Sequence, residues 1–258
     1  MIKLLPNTGE RIIPEYYLRS KEEYLVYLRH LFAYEFAKTK LSKENYVLEI
    51  GCGEGYGTNI LSQQVSNIIG LDVCEDTIGY ASEKYKSNNL LFEKYDGIKL
   101  PYPDETFDVV ISFQVIEHIP DDLNYISEIY RVLKKGGIFI CTTVNKNGEK
   151  LSTPFHVREY HPHDLENILK TKFSDVLLWG IRGDIEIQKI EEKRIKRGII
   201  RTSFDIFKKF IPKPIKRIIR NLKYSNKDFT NKYNSKNYYI ITEDIENCSL
   251  DLLGICKK

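Results

Sequence analysis

The segment Val47-Leu48-Glu49-Ile50-Gly51-Cys52-Gly53-Glu54-Gly55-Tyr56-Gly57 constrains this chain more than any other. An apolar run ends at an acid, four glycines then alternate with other residues, and a helix-like pattern begins. A strand that stops at such a turn offers bare backbone and a helix N-terminus to a ligand, because glycine accepts positive φ and brings no Cβ to the approach. Dinucleotide sites of this type read G-x-G-x-x-G, and here Tyr56 stands where the third glycine of that pattern falls. Glu49 lies just before the first glycine, where a carboxylate repels a pyrophosphate but suits a ligand carrying an ammonium and a sulfonium.

The following segments keep the same alternation. Ile68-Ile69-Gly70-Leu71-Asp72-Val73 reads as a second strand ending in an acid, whose carboxylate is placed to accept ribose hydroxyls. Leu91-Phe92-Glu93-Lys94-Tyr95-Asp96-Gly97 reads as a third, with Asp96 placed to accept from an adenine amino group. Then come Leu100-Pro101-Tyr102-Pro103-Asp104, Thr106-Phe107-Asp108-Val109-Val110, Val115-Ile116-Glu117-His118-Ile119 and Arg131-Val132-Leu133-Lys134-Lys135-Gly136-Gly137. In this order they resemble the "LPFPDxSFDVV", "xxEHI" and "RVLKPGG" stretches of class I S-adenosylmethionine (SAM) methyltransferases, in the UbiE/UbiG-like, methyltransferase type 11 branch. Lys135 stands where that branch has Pro, at a helix end that Gly136 can terminate. The resemblance covers about residues 45–145. It implies SAM as cofactor, S-adenosylhomocysteine as product, and cofactor contacts from Glu49, Gly51, Cys52, Gly53, Gly55, Asp72, Val73, Asp96, Gly97, Phe113, Gln114 and His118.

The pattern predicts an α/β fold with a doubly wound, mostly parallel, seven-stranded sheet. Strands are expected at 46–50, 68–73, 90–95, 108–113, 137–143, 176–181 and 250–256, with helices at 22–38, 56–66, 76–86, 121–134 and 163–172. The apolar strands indicate a sheet covered on both faces. The resemblance implies that the last strand enters antiparallel between the fifth and sixth. Residues 1–40 read as an arm and helix over the site, 41–183 with 248–258 as the SAM-binding core, and 184–247 as an insertion between the last two strands.

Methyl transfer from a sulfonium is an in-line displacement that needs aligned reactants, and an oxygen nucleophile must also lose a proton. His118, beyond the fourth strand, and His156, beyond the fifth, lie at the carboxyl edge where such sheets bind ligands, and both are candidate bases. Pro154-Phe155-His156-Val157-Arg158-Glu159-Tyr160, the arm Thr8–Glu15 and the helix Arg29–Ala37 resemble methyltransferases found with polysaccharide and glycan biosynthesis. That likeness implies O-methylation of a sugar or glycan precursor, with Glu10, Arg11, Asn145, His156, Arg158 and Tyr160 at the acceptor. Methylation of an amine, a quinone ring or a lipid head group is the alternative. Outside catalysis, the chain would be a SAM-binding or nucleic-acid-binding partner protein. His161-Pro162-His163-Asp164 fits a helix start better than a metal site, because two histidines around a proline do not share a helix face, so no metal is expected.

Charge is unevenly placed. Residues 188–223 carry 13 Lys/Arg against 3 Asp/Glu, in a chain whose net charge is +3, so the remainder is acidic. Within that stretch Ile200, Phe204, Phe207 and Ile211 follow helical spacing, Pro212-Lys213-Pro214 interrupts, and Ile215, Ile218, Ile219 and Leu222 resume it. An apolar stripe beside Lys/Arg suits peripheral membrane contact through 199–223, a lid, or a homodimer contact. No nucleic acid is expected, since the basic residues accompany Ile/Phe stripes and not RNA-binding signatures. Five scattered cysteines, no run of 18 apolar residues and no leader-like start predict a reduced, cytoplasmic protein, at the inner membrane face if the basic stretch binds lipid.

Overall fold

The computed structural model describes residues 5, 11–17, 21–148, 155–190, 193, 235–246 and 249–258. The chain order is α1 (Pro14–Tyr17), α2 (Lys21–Lys38), β1 (Tyr46–Ile50), α3 (Tyr56–Ser62), β2 (Asn67–Asp72), α4 (Glu75–Lys84), β3 (Leu90–Lys94) and β4 (Phe107–Phe113). A 3-10 turn (Ile116–His118) leads to α5 (Asp122–Val132), β5 (Leu133–Val144), α6 (Pro162–Lys170), β6 (Asp175–Gly183), α7 (Ser235–Tyr238), β7 (Tyr239–Thr242) and β8 (Asp251–Lys257).

The sheet order is β3-β2-β1-β4-β5-β8-β6-β7. β1 to β5 pair in parallel, from Leu48 beside Ile69 and Val110 out to Val110 beside Phe139. β8 runs antiparallel between β5 and β6, as expected, with Gly254 between Cys141 and Leu178. Alternate residues of each strand face opposite sides. Val47, Val109, Ile111 and Ile140 join Leu25 and Leu28 of α2 and Leu61 of α3, whereas Leu48, Val110 and Phe139 join Ile126 and Ile129 of α5 and Leu165 of α6. Burying apolar surface on both faces, at roughly 25 cal/mol per Å², explains why the central strands read as near-continuous apolar runs.

Three expectations change. The sheet has eight strands, because Tyr239–Thr242, placed within the expected insertion, pairs antiparallel with Gly180–Gly183 at the edge. β5 begins at Leu133, not 137, with a register irregularity opposite Phe107–Val109. α3 stops at Ser62, four residues short of 66, because Asn67 already pairs in β2. α2 buries more than one face. Tyr24, Leu25, Leu28, Ala33, Tyr34 and Ala37 are all buried, and Arg29 pairs with Asp251 of β8 at 3.1 Å. Residues 199–223, with their two helical spacings, lie outside the described residues.

Candidate active site

The strand order reverses between β1 and β4, and the loops that follow these two strands meet there. A Cβ at Gly51 would lie 2.3 Å from Val115 Cγ2, so only glycine lets the β1 loop close against the β4 loop. Gly51, Gly53 and Gly55 take φ of +76°, +55° and +88°. A Cβ at Gly53 would meet nothing within 4 Å, so its backbone faces open space. Cys52 fills the turn as a buried residue, and burial followed by the nearby Glu49 and Asp72 carboxylates pushes its thiol well up. That is an inert thiol.

Two acids frame this loop. Asp72, at the end of β2, accepts from the Gly53 amide at 3.1 Å through one oxygen and from the Cys74 amide at 2.9 Å through the other. A carboxylate has about four acceptor positions, so each oxygen keeps capacity for a hydroxyl. Glu49 is buried, and burial raises its carboxyl pKa against the opposing hydrogen bonds. The Tyr34 hydroxyl donates to Glu49 Oε1 at 2.6 Å, while Oε2 has no hydrogen bond of good geometry among the described residues, the Thr58 hydroxyl lying near enough to hold the carboxyl pKa down without closing one. Such an orphaned oxygen costs about 1–3 kcal/mol unless a ligand donor reaches it. Tyr34 reaches Glu49 because position 57 is glycine: a Cβ there would lie 1.9 Å from the tyrosine ring. Its ring also meets Tyr56 and Phe113 edge-on, with centroids 5.3 and 5.0 Å away. Sequence spacing did not single out Tyr34, and the only local signal was the glycine at 57.

Farther along the edge, Asp96 is exposed and accepts from the Lys99 and Ile98 amides, which hold its carboxyl below the usual range. Val73 and Ile98 are exposed apolar side chains beside it, and Val73 lies against Gly97. Gln114 follows β4 with φ of +56°, an uncommon conformation for a residue with a side chain. Its amide donates to the Thr142 carbonyl at 2.8 Å, which fixes the loop that carries His118.

The 155–158 segment packs on that loop. The amides of Val157 and Arg158 both donate to the Glu117 carbonyl, at 2.9 and 3.1 Å. This brings the His118 and His156 rings to a centroid distance of 5.1 Å. His118 Nδ1 donates to the Phe155 carbonyl at 3.1 Å, and His156 Nδ1 faces Glu159 Oε1 at 3.3 Å. Glu117 is buried beneath them and accepts from the Thr143 hydroxyl at 2.8 Å. The ligating atoms of Glu117, His118 and His156 lie within 4.8 Å of one another. No metal was expected from the sequence. His161 and His163, the pair weighed there, instead contact Asn147 and Asn167 at 2.6 and 3.0 Å around the Pro162 helix start.

Other acceptor candidates hold the scaffold. Asn145 is fully buried, and its amide nitrogen donates to Ile245 O and to Ser249 Oγ, both at 2.7 Å, while its oxygen accepts from the Asn147 amide. Tyr160 is buried and donates to Asp122 at 2.8 Å, and Arg158 pairs with the same carboxylate. Asn145 therefore joins β5 to Ile245 and Ser249, and Arg158 and Tyr160 fasten the His156 segment to α5. Glu10 lies outside the described residues. Arg11 is half-buried, and its charge contributes to lowering the Cys74 thiol, after the hydrogen bonds from Thr77, which places it near the end of β2. The arm continues to Glu15, whose carboxylate shares Lys84 with the buried Glu54 of the glycine loop, each at 2.9 Å.

Residues 48–141 match the family described as "Methyltransferase domain". A protein of Mycolicibacterium smegmatis named "Probable S-adenosylmethionine-dependent methyltransferase" is 36% identical over 172 residues, covering 65% of this chain and 64% of that protein. The chain thus spans under two thirds of that relative's length. A "Ubiquinone biosynthesis O-methyltransferase" of a Ruegeria species is 30% identical over 103 residues, covering 39% of this chain and 42% of the relative. In fold, the chain is similar to the crystal structure of a SAM-dependent methyltransferase from Archaeoglobus fulgidus, with a TM-score of 0.58 and 19% identity over 89% of this chain and 94% of that one.

Proposed function

We propose that this chain, whose residues 48–141 form a methyltransferase domain, moves a methyl group from SAM to a hydroxyl of a sugar or glycan precursor. The glycine loop fits the cofactor: the orphaned Glu49 oxygen and the open face of Gly53 suit a cationic methionine moiety, and Asp72 retains acceptor capacity for ribose hydroxyls. Val73 and Ile98 offer apolar faces to a planar base, with Asp96 at its edge. When bound, SAM supplies an electrophilic methyl on a sulfonium.

The observation that carries the oxygen acceptor is the paired His118 and His156. Because a carbonyl only accepts, the Phe155 bond fixes the proton of His118 on Nδ1, and Glu159 does the same for His156. Nε2 of each neutral ring is left with its lone pair, able to take the hydroxyl proton as the oxygen attacks. Phe155, 51% exposed beside His156, offers a ring against which the apolar face of a sugar can lie.

A second reading is a phenolic or quinol ring as acceptor. It is favoured by Val157, which is 57% exposed on the other side of His156, and by the name of the Ruegeria relative. The deciding experiment offers labelled SAM to the purified protein with two panels, oligosaccharides or polyprenyl-linked sugars, and dihydroxyphenyl compounds. Label in the first panel only supports the sugar reading. Label in the second only overturns it, and label in neither removes both.

The basic stretch 199–223 is proposed to bring the enzyme to the inner membrane face, its apolar stripe lying at the lipid boundary. No helix among the described residues is long and apolar enough to cross a membrane. Sedimentation with anionic liposomes, lost at high salt, is the expected result. Indifference to liposomes at low salt leaves that stretch as a lid or homodimer contact.

A further inference from the structure

We propose that Glu117, His118 and His156 bind one first-row divalent cation of the zinc type, with open positions facing the acceptor. The site is assembled from two loops. Glu117 and His118 belong to the 3-10 turn after β4, and His156 is delivered 38 residues later by the segment that donates two amides to the Glu117 carbonyl.

Both imidazoles are already oriented as metal ligands are. A ligating histidine ordinarily donates its other ring N–H to a backbone carbonyl or a carboxylate, which fixes the tautomer and aims the lone pair. His118 does so to Phe155 O and His156 to Glu159, so Nε2 is the ligating atom in each. Glu117 accepts from Thr143 with one oxygen, and a carboxylate's several lone pairs allow ligation alongside that bond. The three groups therefore carry their outer shell of hydrogen bonds without the ion.

Two nitrogens and one carboxylate oxygen select zinc-like ions over magnesium, which favours oxygen ligands. Three protein ligands leave a fourth position for water or substrate, the arrangement of catalytic zinc sites. One potential ligand atom from each residue lies within 4.8 Å of the other two, and the two Nε2 atoms and a Glu117 oxygen must draw together to the roughly 3.3–3.6 Å that bonds of about 2.0–2.2 Å impose in a tetrahedron. Rotation of the His156 side chain, which lies on a loop and not on a strand, supplies that movement. With the ion bound, the ion and not an imidazole lone pair would activate a hydroxyl placed on it, whose proton would pass to water. This last role rests on the methyltransferase reading above, whereas binding of the ion does not.

The test uses the full chain, stripped with a chelator and titrated with cobalt(II) and zinc(II). One cobalt ion per chain is expected, with visible bands that zinc abolishes and magnesium does not. Glu117→Gln and His118→Ala should each weaken binding at least about tenfold, and Glu159→Ala, which acts only through His156, by about 10–100-fold. In the wild-type protein, nitrogen-15 spectra of the five imidazoles should show zinc shifting two of them, both protonated at Nδ1. That measurement needs no variant to fold. Absence of a bound ion, shifts confined to His161 and His163, or cobalt bands unchanged in Glu117→Gln would overturn the site. SAM binding measured on the same samples separates the two readings: a protein that binds SAM and no ion loses only this inference, and one that binds no SAM loses the methyltransferase reading.

Discussion

Around the glycine loop, the polar groups stand at the ends of β1 and β2 and are fixed by nearby backbone: Asp72 takes the amides of Gly53 and Cys74. Around His118 and His156, they stand on two loops that hold each other through the Glu117 carbonyl and the Phe155 carbonyl. The first region lies within consecutive strand–helix units, and its orphaned Glu49 oxygen awaits a ligand. The second depends on contacts between segments 37 residues apart or more, including His118 with Phe155. Changes in the first region should therefore act on cofactor binding, and changes in the second on turnover.

The largest expected effect breaks or confirms that division. His156→Ala should reduce turnover by about 10²–10⁴-fold, the usual contribution of a general base, while calorimetry finds SAM affinity unchanged. Equal losses in both would mean that the two regions are one unit. Next, Asp72→Ala should weaken SAM binding by about 1–3 kcal/mol, since charge-assisted bonds to the ribose disappear, and turnover at saturating SAM should change far less. Wild-type affinity in that variant would remove Asp72 from the cofactor.

Tyr34→Phe sharpens the comparison from outside the core strands. It leaves the buried Glu49 without its hydroxyl donor, so stability should fall by about 1–3 kcal/mol in denaturant unfolding. Saturating SAM should recover more stability in the variant than in the wild type, if an ammonium takes over the unmet carboxylate. A neutral substitution would show that Glu49 stays protonated and needs no donor.

The smallest effect concerns pH. Burial raises the Glu54 carboxyl from 4.5 to about 7 even though Lys84 opposes the shift. Against desolvation, which lowers it, Lys84 is itself raised by Tyr85, Glu15 and Glu54 together and stays charged throughout this range. Because the folded pKa of Glu54 lies above the unfolded one, the protonated carboxyl is the stabilised form: its contribution is complete below about pH 4.5 and is lost as pH rises through about 7. Relative to Glu54→Gln, the wild type should lose stability from about pH 4.5 to 7 and run parallel above that. A wild type that instead gains stability relative to Glu54→Gln over that range would mean that the Lys84 pair dominates.

The glycine loop and the acidic strand ends beside it were readable from order and spacing. Glycines at alternate positions, an acid before them and acids at two strand ends are local features, and local sequence decides where a strand stops and a turn begins. β5 starts at Leu133, earlier than expected. The acceptor end was only half readable. His118 and His156 stood out as residue types near strand ends, but Asn145, Arg158 and Tyr160 looked the same and proved to join β5 to Ile245 and the His156 segment to α5.

Sequence by itself determined the parallel strand–helix alternation and the glycine loop, because periodicity and turn chemistry act over a few residues, whereas the placement of β8 was implied by the family resemblance. Tertiary structure alone decided that Tyr34 bonds Glu49, that Tyr239–Thr242 extends the sheet, and that Glu117, His118 and His156 converge. Those contacts join residues far apart in the chain, where hydrogen-bond geometry and close packing select partners that no local pattern encodes.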